Sequence, residues 1–383
     1  MAQRDNLSMD LHQAQSLLGG LSPSQFMRRH WHKRPLLVRQ AIGAVTPPLT
    51  RAELFALAAS DEVESRLVQR DRADRWRLRP GPLPRRALPP LARPGWTLLV
   101  QGLELHVEAA QTLLSHFRFL PAVRLDDLML SYASDAGGVG PHIDAYDVFL
   151  LQVQGRRRWR VGRNPRPALR DDVPLKMLAH FDAEHDWLLE PGDMLYLPPG
   201  WAHDGVAVGA DCMTASIGFR APHAGELAQA LLARMADEPA RARRDMRYRD
   251  ATQPATALPG WVPEPLQHFA RRALDQALAA PDLLERTLGE WLTEPKAQVW
   301  YRANDQPSLA RGVRLDRRSR MAYDARHVFI NGDSCRASGR DARLMRQLAD
   351  QRHLDAQAIT AASPAALDLL GEWLHSGWLQ PLD

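Results

Sequence analysis

Between Trp96 and Arg220 the apolar residues come in short runs broken by glycine and proline: WTLLVQG, DLMLSYAS, DVFLLQVQG, RRRWRVG, DMLYLPP, HDGVAV and CMTASIGF. Short β-rich runs at regular spacing predict the strands of a sandwich or barrel. Upstream, Ser22-Pro23-Ser24 marks a helix start before QFMRRHWHK, Pro35 ends it, and Leu36, Leu37 and Val38 read as a short strand. The stretch RPGPLPRRALPPLARP (79–94) is too rich in proline for regular helix or a central strand, so it reads as a surface loop whose arginines could touch an anionic partner.

After Pro222 the period changes. In GELAQALLARMADEPARARRD and LQHFARRALDQALAAPDLLERTLGEWLTEP the apolar residues recur at three and four positions, which predicts amphipathic helices able to dock on the barrel or pair with a second copy. Farther on, MAYDARHVFINGDSCRAS reads as strands with an Asn331–Gly332 turn. A final helix has Ser363 as N-cap, Pro364 at its first position and Gly377 past its end, with Leu367, Leu370 and Leu374 along one face. A hairpin among small helices fits a winged-helix unit. The fold class expected is α+β, with divisions at 1–221, 222–300 and 301–383.

Length agrees, since 383 residues are too many for one core and suggest two or three domains. A hydrophobic share of 45% excludes wholesale disorder. Net charge is only +4, which permits a nucleic-acid partner without arguing for one. Two cysteines, Cys212 and Cys335, cannot build a cysteine-rich zinc site or a disulfide framework, so a reducing, cytoplasmic setting is expected. The first 20 residues hold no signal-peptide core, and no run is long enough to span a bilayer. Any metal site must therefore draw on the 14 histidines and on carboxylates.

The segment GGVGPHIDAYDVFLLQVQGRRRWRVG (137–162) places His142 and Asp144 two apart, so on an extended strand both point to one side. In EPGDMLYLPPGWAHDGVAV (190–208) a double turn delivers His203 back toward the barrel mouth. Two histidines and a carboxylate form the facial triad of mononuclear non-haem Fe(II) oxygenases, which leaves coordination positions open. Zinc hydrolases use the same ligand types, so the ligands alone do not fix the metal. His180 and His185 compete for the third place, but both lie in KMLAHFDAEHDWLLEPG, which reads as a loop, and His203 is preferred. In RRRWRV, alternation puts Arg157 on the inward side with Trp159 and Val161, and Arg156, Arg158 and Arg160 outside. An inward guanidinium needs an anion, and a bound carboxylic acid supplies one in bidentate fashion.

These motifs resemble the bacterial JmjC-type ribosomal oxygenases. The likeness is carried by FMRRHWHKRPLLVRQA (26–41), RFLPAVRLDDLMLSYASDAGGVGPHIDAYDVFLLQVQGRRRWRVG (118–162), EPGDMLYLPPGWAHDGVA (190–207) and SIGFRAP (216–222), and extends in layout over nearly the whole chain. It implies a double-stranded β-helix, the cupin-like jelly-roll barrel, in 1–221, a helical region for homodimerisation in 222–300 and a winged helix in 301–383. It also implies hydroxylation of an arginine of large-subunit ribosomal protein number sixteen, with Fe(II), 2-oxoglutarate and O2. His142, Asp144 and His203 fall on the iron ligands, and no catalytic side chain is implied beyond them. Arg157 falls on the residue that takes the distal carboxylate of 2-oxoglutarate, and Ser131 on a second contact to it. Asp135 falls where the substrate arginine is held.

Other readings keep the chemistry and change the target to histidine hydroxylation or lysine demethylation. A non-enzymatic cupin-like binding protein has no need of the triad or of an inward arginine. No membrane partner is expected. Nor is direct nucleic-acid binding, since 301–383 mixes acids and bases without a basic stripe.

Overall fold

Ser22 accepts from the Gln25 amide and Gln25 accepts from the Ser22 amide, a capping box that starts α1 (Pro23–Arg29). The computed structural model describes residues 10–237, 247–279, 282–305 and 308–382. The helical text expected over 238–245 and 280–281, and the first nine residues, lie outside that set. Two compact units result, Met1–Ala221 and Pro222–Asp383.

In the first unit α1 leads to β1 (Leu36–Val38), α2 (Arg51–Leu57), β2 (Ser65–Arg70), β3 (Trp76–Pro80), β4 (Trp96–Val100), α3 (Glu108–Ser115) and β5 (Leu125–Ala133). Then come β6 (His142–Ile143), β7 (Asp147–Arg163), β8 (His185–Leu189), β9 (Met194–Leu197) and β10 (Trp201–Phe219). The first half of β7 and the second half of β10 lie in an antiparallel sheet ordered β1-β9-β7-β10-β5-β4-β2-β3. Their other halves pair again and carry β8 on one side and β6 on the other. Two strands shared between two sheets give the double-stranded β-helix that was expected.

Sequence reading splits β7 and β10 into two strands each, whereas each runs on through a bend. Gly155, at φ +63°, carries β7 around the corner, and any Cβ there would sit 2.8 Å from the Asp211 carbonyl oxygen. In β10 the register shifts between Val208 and Met213, so the extra residues loop out and the ladder resumes. Asp211 on that loop accepts from the Tyr132 hydroxyl at 2.9 Å and pairs with Arg51. A second difference is β8, expected as loop. It is only five residues long and opens with His185 and Asp186, but pairing with residues 157–161 of β7 makes it a strand.

One core lies between the larger sheet and α1–α3. Phe26, Leu54, Phe117, Phe149, Tyr196 and Phe219 are all buried in it. The Phe26 ring lies 4.9 Å from Tyr196 and 5.7 Å from Phe149. Asp147, fully buried where β7 begins, accepts from Tyr196 Oη at 2.5 Å and pairs with His32 at 2.8 Å, tying the segment after α1 to the sheet. Burial raises the Asp147 carboxyl above the ordinary range, against the pull of Tyr196, His32 and Arg124.

The second unit opens with α4 (Ala224–Asp237), α5 (Glu264–Leu278) and α6 (Leu283–Thr293). Leu231 and Met235 of α4 pack on Leu283 of α6. Next are β11 (Gly312–Leu315), β12 (Met321–Tyr323), β13 (His327–Ile330) and β14 (Asp333–Arg336), the last two joined by the expected Asn331–Gly332 turn. The unit closes with α7 (Gly339–Gln351), β15 (His353–Asp355), α8 (Ala356–Thr360), α9 (Pro364–His375) and β16 (Leu379–Pro381). Ser363 caps α9 through the Ala366 amide, and Leu370 and Leu374 are fully buried from its inner face. Two small sheets, β15-β11-β16 and β12-β13-β14, complete this unit. No described helix is long and apolar enough to cross a membrane.

Candidate metal centre

Pairing of β6 with β10 sets His142 directly opposite His203. Asp144 follows β6, and its carbonyl accepts from the Gly200 amide of the Pro-Pro-Gly turn at 3.0 Å. Asp144 Oδ2 lies 3.9 Å from His142 Nε2 and 3.5 Å from His203 Nε2. One ligand atom from each of the three residues falls within 4.8 Å of the others, the one such group of three or more histidine, cysteine or acidic side chains among the described residues.

Both imidazoles are oriented the same way. His142 Nδ1 lies 2.9 Å from the Gly140 carbonyl and His203 Nδ1 lies 3.0 Å from the Trp201 carbonyl. A carbonyl only accepts, so each Nδ1 carries the proton and each Nε2 presents its lone pair to the centre. Burial, and then the neighbouring His142, lower the His203 pKa to about 4, which keeps its ring neutral and ligand-competent. Two imidazoles presenting Nε2 and one carboxylate fit a divalent first-row cation.

His180 and His185 are not part of this group. His180 is exposed beside Asp182 at 3.2 Å, and His185 lies exposed on β8, stacked on Trp187.

Alternation along β7 holds as read. Arg157, Trp159 and Val161 are buried, while Arg158 and Arg160 face out and pair with Asp186 and Asp204. Arg157 is 4% exposed, and its Nε and Nη2 have no hydrogen-bond partner. Its guanidinium carbon lies 5.7 Å from the Trp159 ring, which in turn lies 5.8 Å from the His203 ring. Trp159 Nε1 is likewise buried without a partner. Opposite it on β10 stands Gly205, where a Cβ would meet the indole at 2.5 Å. Three unsatisfied donors beside the triad form a cradle for an acidic group, because leaving them unpaired in the interior is costly.

Ser131 is buried on β5, and its hydroxyl donates to the Thr214 carbonyl at 3.2 Å. Two residues along the same face, Ala133 packs with Ala207, the β10 neighbour of Arg157. Asp135 is exposed on the loop toward His142, and its Oδ1 accepts from the Gly209 amide at 2.8 Å. Sequence reasoning missed Gln152 and Thr214, buried and joined at 2.9 Å beside Ser131. A glutamine inside the apolar run DVFLLQVQG was the available signal. It also passed over Trp159 as a donor.

Known proteins resemble this chain over most of its length. The JmjC domain family matches residues 112–227, and the ROXA-like winged helix matches 271–380. Ribosomal protein uL16 3-hydroxylase of Escherichia coli is 32% identical over 372 residues, which cover 92% of this chain and 96% of that protein. A probable ribosomal oxygenase of Haemophilus influenzae is 35% identical over 217 residues, covering 54% of this chain and 52% of its own length. Among solved structures, the Escherichia coli ribosomal oxygenase YcfD in complex with cobalt and 2-oxoglutarate superposes with a TM-score of 0.81 at 30% identity, over 94% of this chain and 98% of that one.

Proposed function

The chain belongs to the family of JmjC ribosomal oxygenases, and on that premise we propose that it hydroxylates an arginine side chain of the large-subunit ribosomal protein uL16. It is an Fe(II)- and 2-oxoglutarate-dependent oxygenase of ribosomal protein. The observation that carries the reading is the buried guanidinium of Arg157, unpaired and one tryptophan ring away from His142, Asp144 and His203.

Each residue then has a role. His142, Asp144 and His203 hold the iron. Arg157 takes the distal carboxylate of 2-oxoglutarate, with Ser131 as a second contact. Iron and cosubstrate together supply the O2 activation that places one oxygen atom on a C–H bond. The protein's own part is to orient and to exclude water. Main-chain carbonyls fix the tautomer of both imidazoles and aim each Nε2 at the centre, and the apolar cluster of Trp159, Val161 and Leu189 beside it excludes water. Asp135 keeps Oδ2 for the substrate guanidinium while Oδ1 is held by the Gly209 amide.

The protein acts in the cytoplasm, in keeping with two free thiols, Cys212 and Cys335. It works as a homodimer through the helical region 222–300. Leu266, Leu274 and Leu278 of α5 are exposed, as are Leu258, Trp261 and Val262 before it, an apolar surface that a second copy covers. The remaining residues 301–383 form the winged-helix domain.

The test is incubation with purified ribosomal proteins, Fe(II) and 2-oxoglutarate, followed by intact-mass and peptide analysis. A one-oxygen gain on an arginine of uL16, lost in His203→Ala, is expected. The same gain on a histidine, loss of methyl groups, or no turnover at all overturns the assignment.

A further inference from the structure

The positive charge of this chain is not spread evenly. Residues 66–94 hold nine arginines, two aspartates and no other charged residue, a net +7 in a chain whose total is +4. The rest of the protein is therefore slightly negative, and the basic character belongs to one arm: β2, β3 and the proline-rich loop.

Four of the nine arginines have partners within the protein. Arg70 pairs with Asp74 and Arg75 with Asp71, both at 2.7 Å, Arg66 bonds Gln101, and Arg85 lies over the Phe55 ring at 5.4 Å. The other five, Arg72, Arg77, Arg79, Arg86 and Arg93, are exposed and have no carboxylate partner among the described residues. β3 is the last strand of its sheet, so among the described residues no strand pairs with its outer edge. Arg77 and Arg79 project from the same side of it, about 7 Å apart, the scale of the step between phosphates along a nucleic-acid strand.

The arm is tied to the mouth of the metal centre. The Arg70 amide donates to the Gly95 carbonyl at 2.7 Å, and the Gly95 amide donates to the Asp135 carbonyl at 2.8 Å. At the hairpin tip Asp74 accepts from Arg170 at 2.9 Å, and that loop returns to the site through the Leu178 amide and the Pro141 carbonyl at 2.7 Å.

We infer, against the expectation drawn from residues 301–383, that this arm is an RNA-binding surface beside the active-site mouth, with Arg72, Arg77, Arg79, Arg86 and Arg93 on the phosphates. The inference rests on the ribosomal-protein reading only for its setting. A ribosomal protein carries excess positive charge, so a cationic rim repels it when free and suits it when RNA accompanies it. All five groups are arginines, the side chain suited to bidentate phosphate contact. Charges on an edge strand also discourage sheet-to-sheet pairing, but Arg72, Arg86 and Arg93 lie off the strand and that role does not call for them.

The test is fluorescence anisotropy of a labelled single-stranded RNA with the full-length protein, without turnover, from about 50 to about 200 mM salt. Five phosphate contacts give a log–log slope of about −3.5, or about a hundredfold weakening over that range. The variant R72Q/R77Q/R79Q/R86Q/R93Q should bind at least about tenfold more weakly at low salt with a slope near zero, and R86Q or R93Q alone should each reduce the slope by about 0.7. Melting temperature and uncoupled 2-oxoglutarate turnover of each variant should match the parent, which separates lost binding from lost folding. Binding unchanged in the variants, no binding by the parent at micromolar protein, or equal affinity for polyglutamate or for anionic vesicles overturns the inference. Hydroxylation of isolated uL16 reports on the proposed function separately, so either reading can fail alone.

Discussion

Replacing Arg157 by methionine should cost the protein its cosubstrate and not its fold. Methionine fills much of the same volume and leaves no charge behind. In the parent, Nε and Nη2 are buried and unpaired, so the metal- and cosubstrate-free state carries the cost of an isolated guanidinium, eased only by the Trp159 face at 5.7 Å. When 2-oxoglutarate binds, the two donors gain charge-assisted bonds worth about 1.5–3 kcal/mol each, or about 3–6 kcal/mol together. Losing both should weaken 2-oxoglutarate about 10²–10⁴-fold. Calorimetric titration with Mn(II) in place of iron measures this directly. Thermal denaturation gives the second half of the test. At a hundredfold excess over Kd, 2-oxoglutarate stabilises the parent by about 2.7 kcal/mol, which for a unit of this size is about 5–10 °C in Tm. Arg157→Met should melt no lower than the parent without cosubstrate and should not respond to it. Cosubstrate affinity within tenfold of the parent, or a Tm several degrees lower without cosubstrate, would refute the role given to this cradle.

Gly205→Ala puts a Cβ within 2.5 Å of the Trp159 ring, and overpacking of about 1–3 kcal/mol should lower Tm by about 2–10 °C. Adding Trp159→Leu should restore part of that loss, and no recovery would point to another cause. Asp135→Asn keeps an acceptor for the Gly209 amide and removes the charge offered to substrate. Peptide hydroxylation should fall about 10–100-fold in kcat/KM while uncoupled 2-oxoglutarate turnover holds, and equal losses in both assays would remove Asp135 from substrate binding. The folded pKa of His203, about 4, lies below its ordinary 6.5, so the unfolded chain binds the extra proton between those values. Metal-free protein should lose stability as pH falls from about 6.5 to about 4. Urea midpoints across that window should slope more steeply for the parent than for His203→Gln, and identical slopes would contradict the assigned cause.

The site was more legible than the frame around it. His142 and Asp144 are two apart in sequence, and His203 follows a double turn, so local spacing carried most of the information. The inward side of RRRWRV was visible from alternation alone. What could not be read depends on partners far away in the chain. β8 is a short run, HDWLL, that becomes a strand by pairing with β7, and β2–β3 gains its place from β4. The continuity of β7 and β10 through their bends was hidden because glycine and a looped-out turn look the same, in sequence, as the end of a strand. Trp159 looked like core until its indole nitrogen proved to have no partner.

His142 and His203 occupy opposite places on one rung of the β6–β10 ladder, so main-chain pairing sets their spacing before any ion arrives. That separates this protein from zinc fingers, whose chains have no fold until the metal closes them. Chelation should empty the site and leave the barrel standing, and the choice of ion passes to whatever the cell supplies to a finished pocket. A cell short of iron would then keep this chain as a folded reserve. Its recovery would be timed by ion capture, with no new round of synthesis.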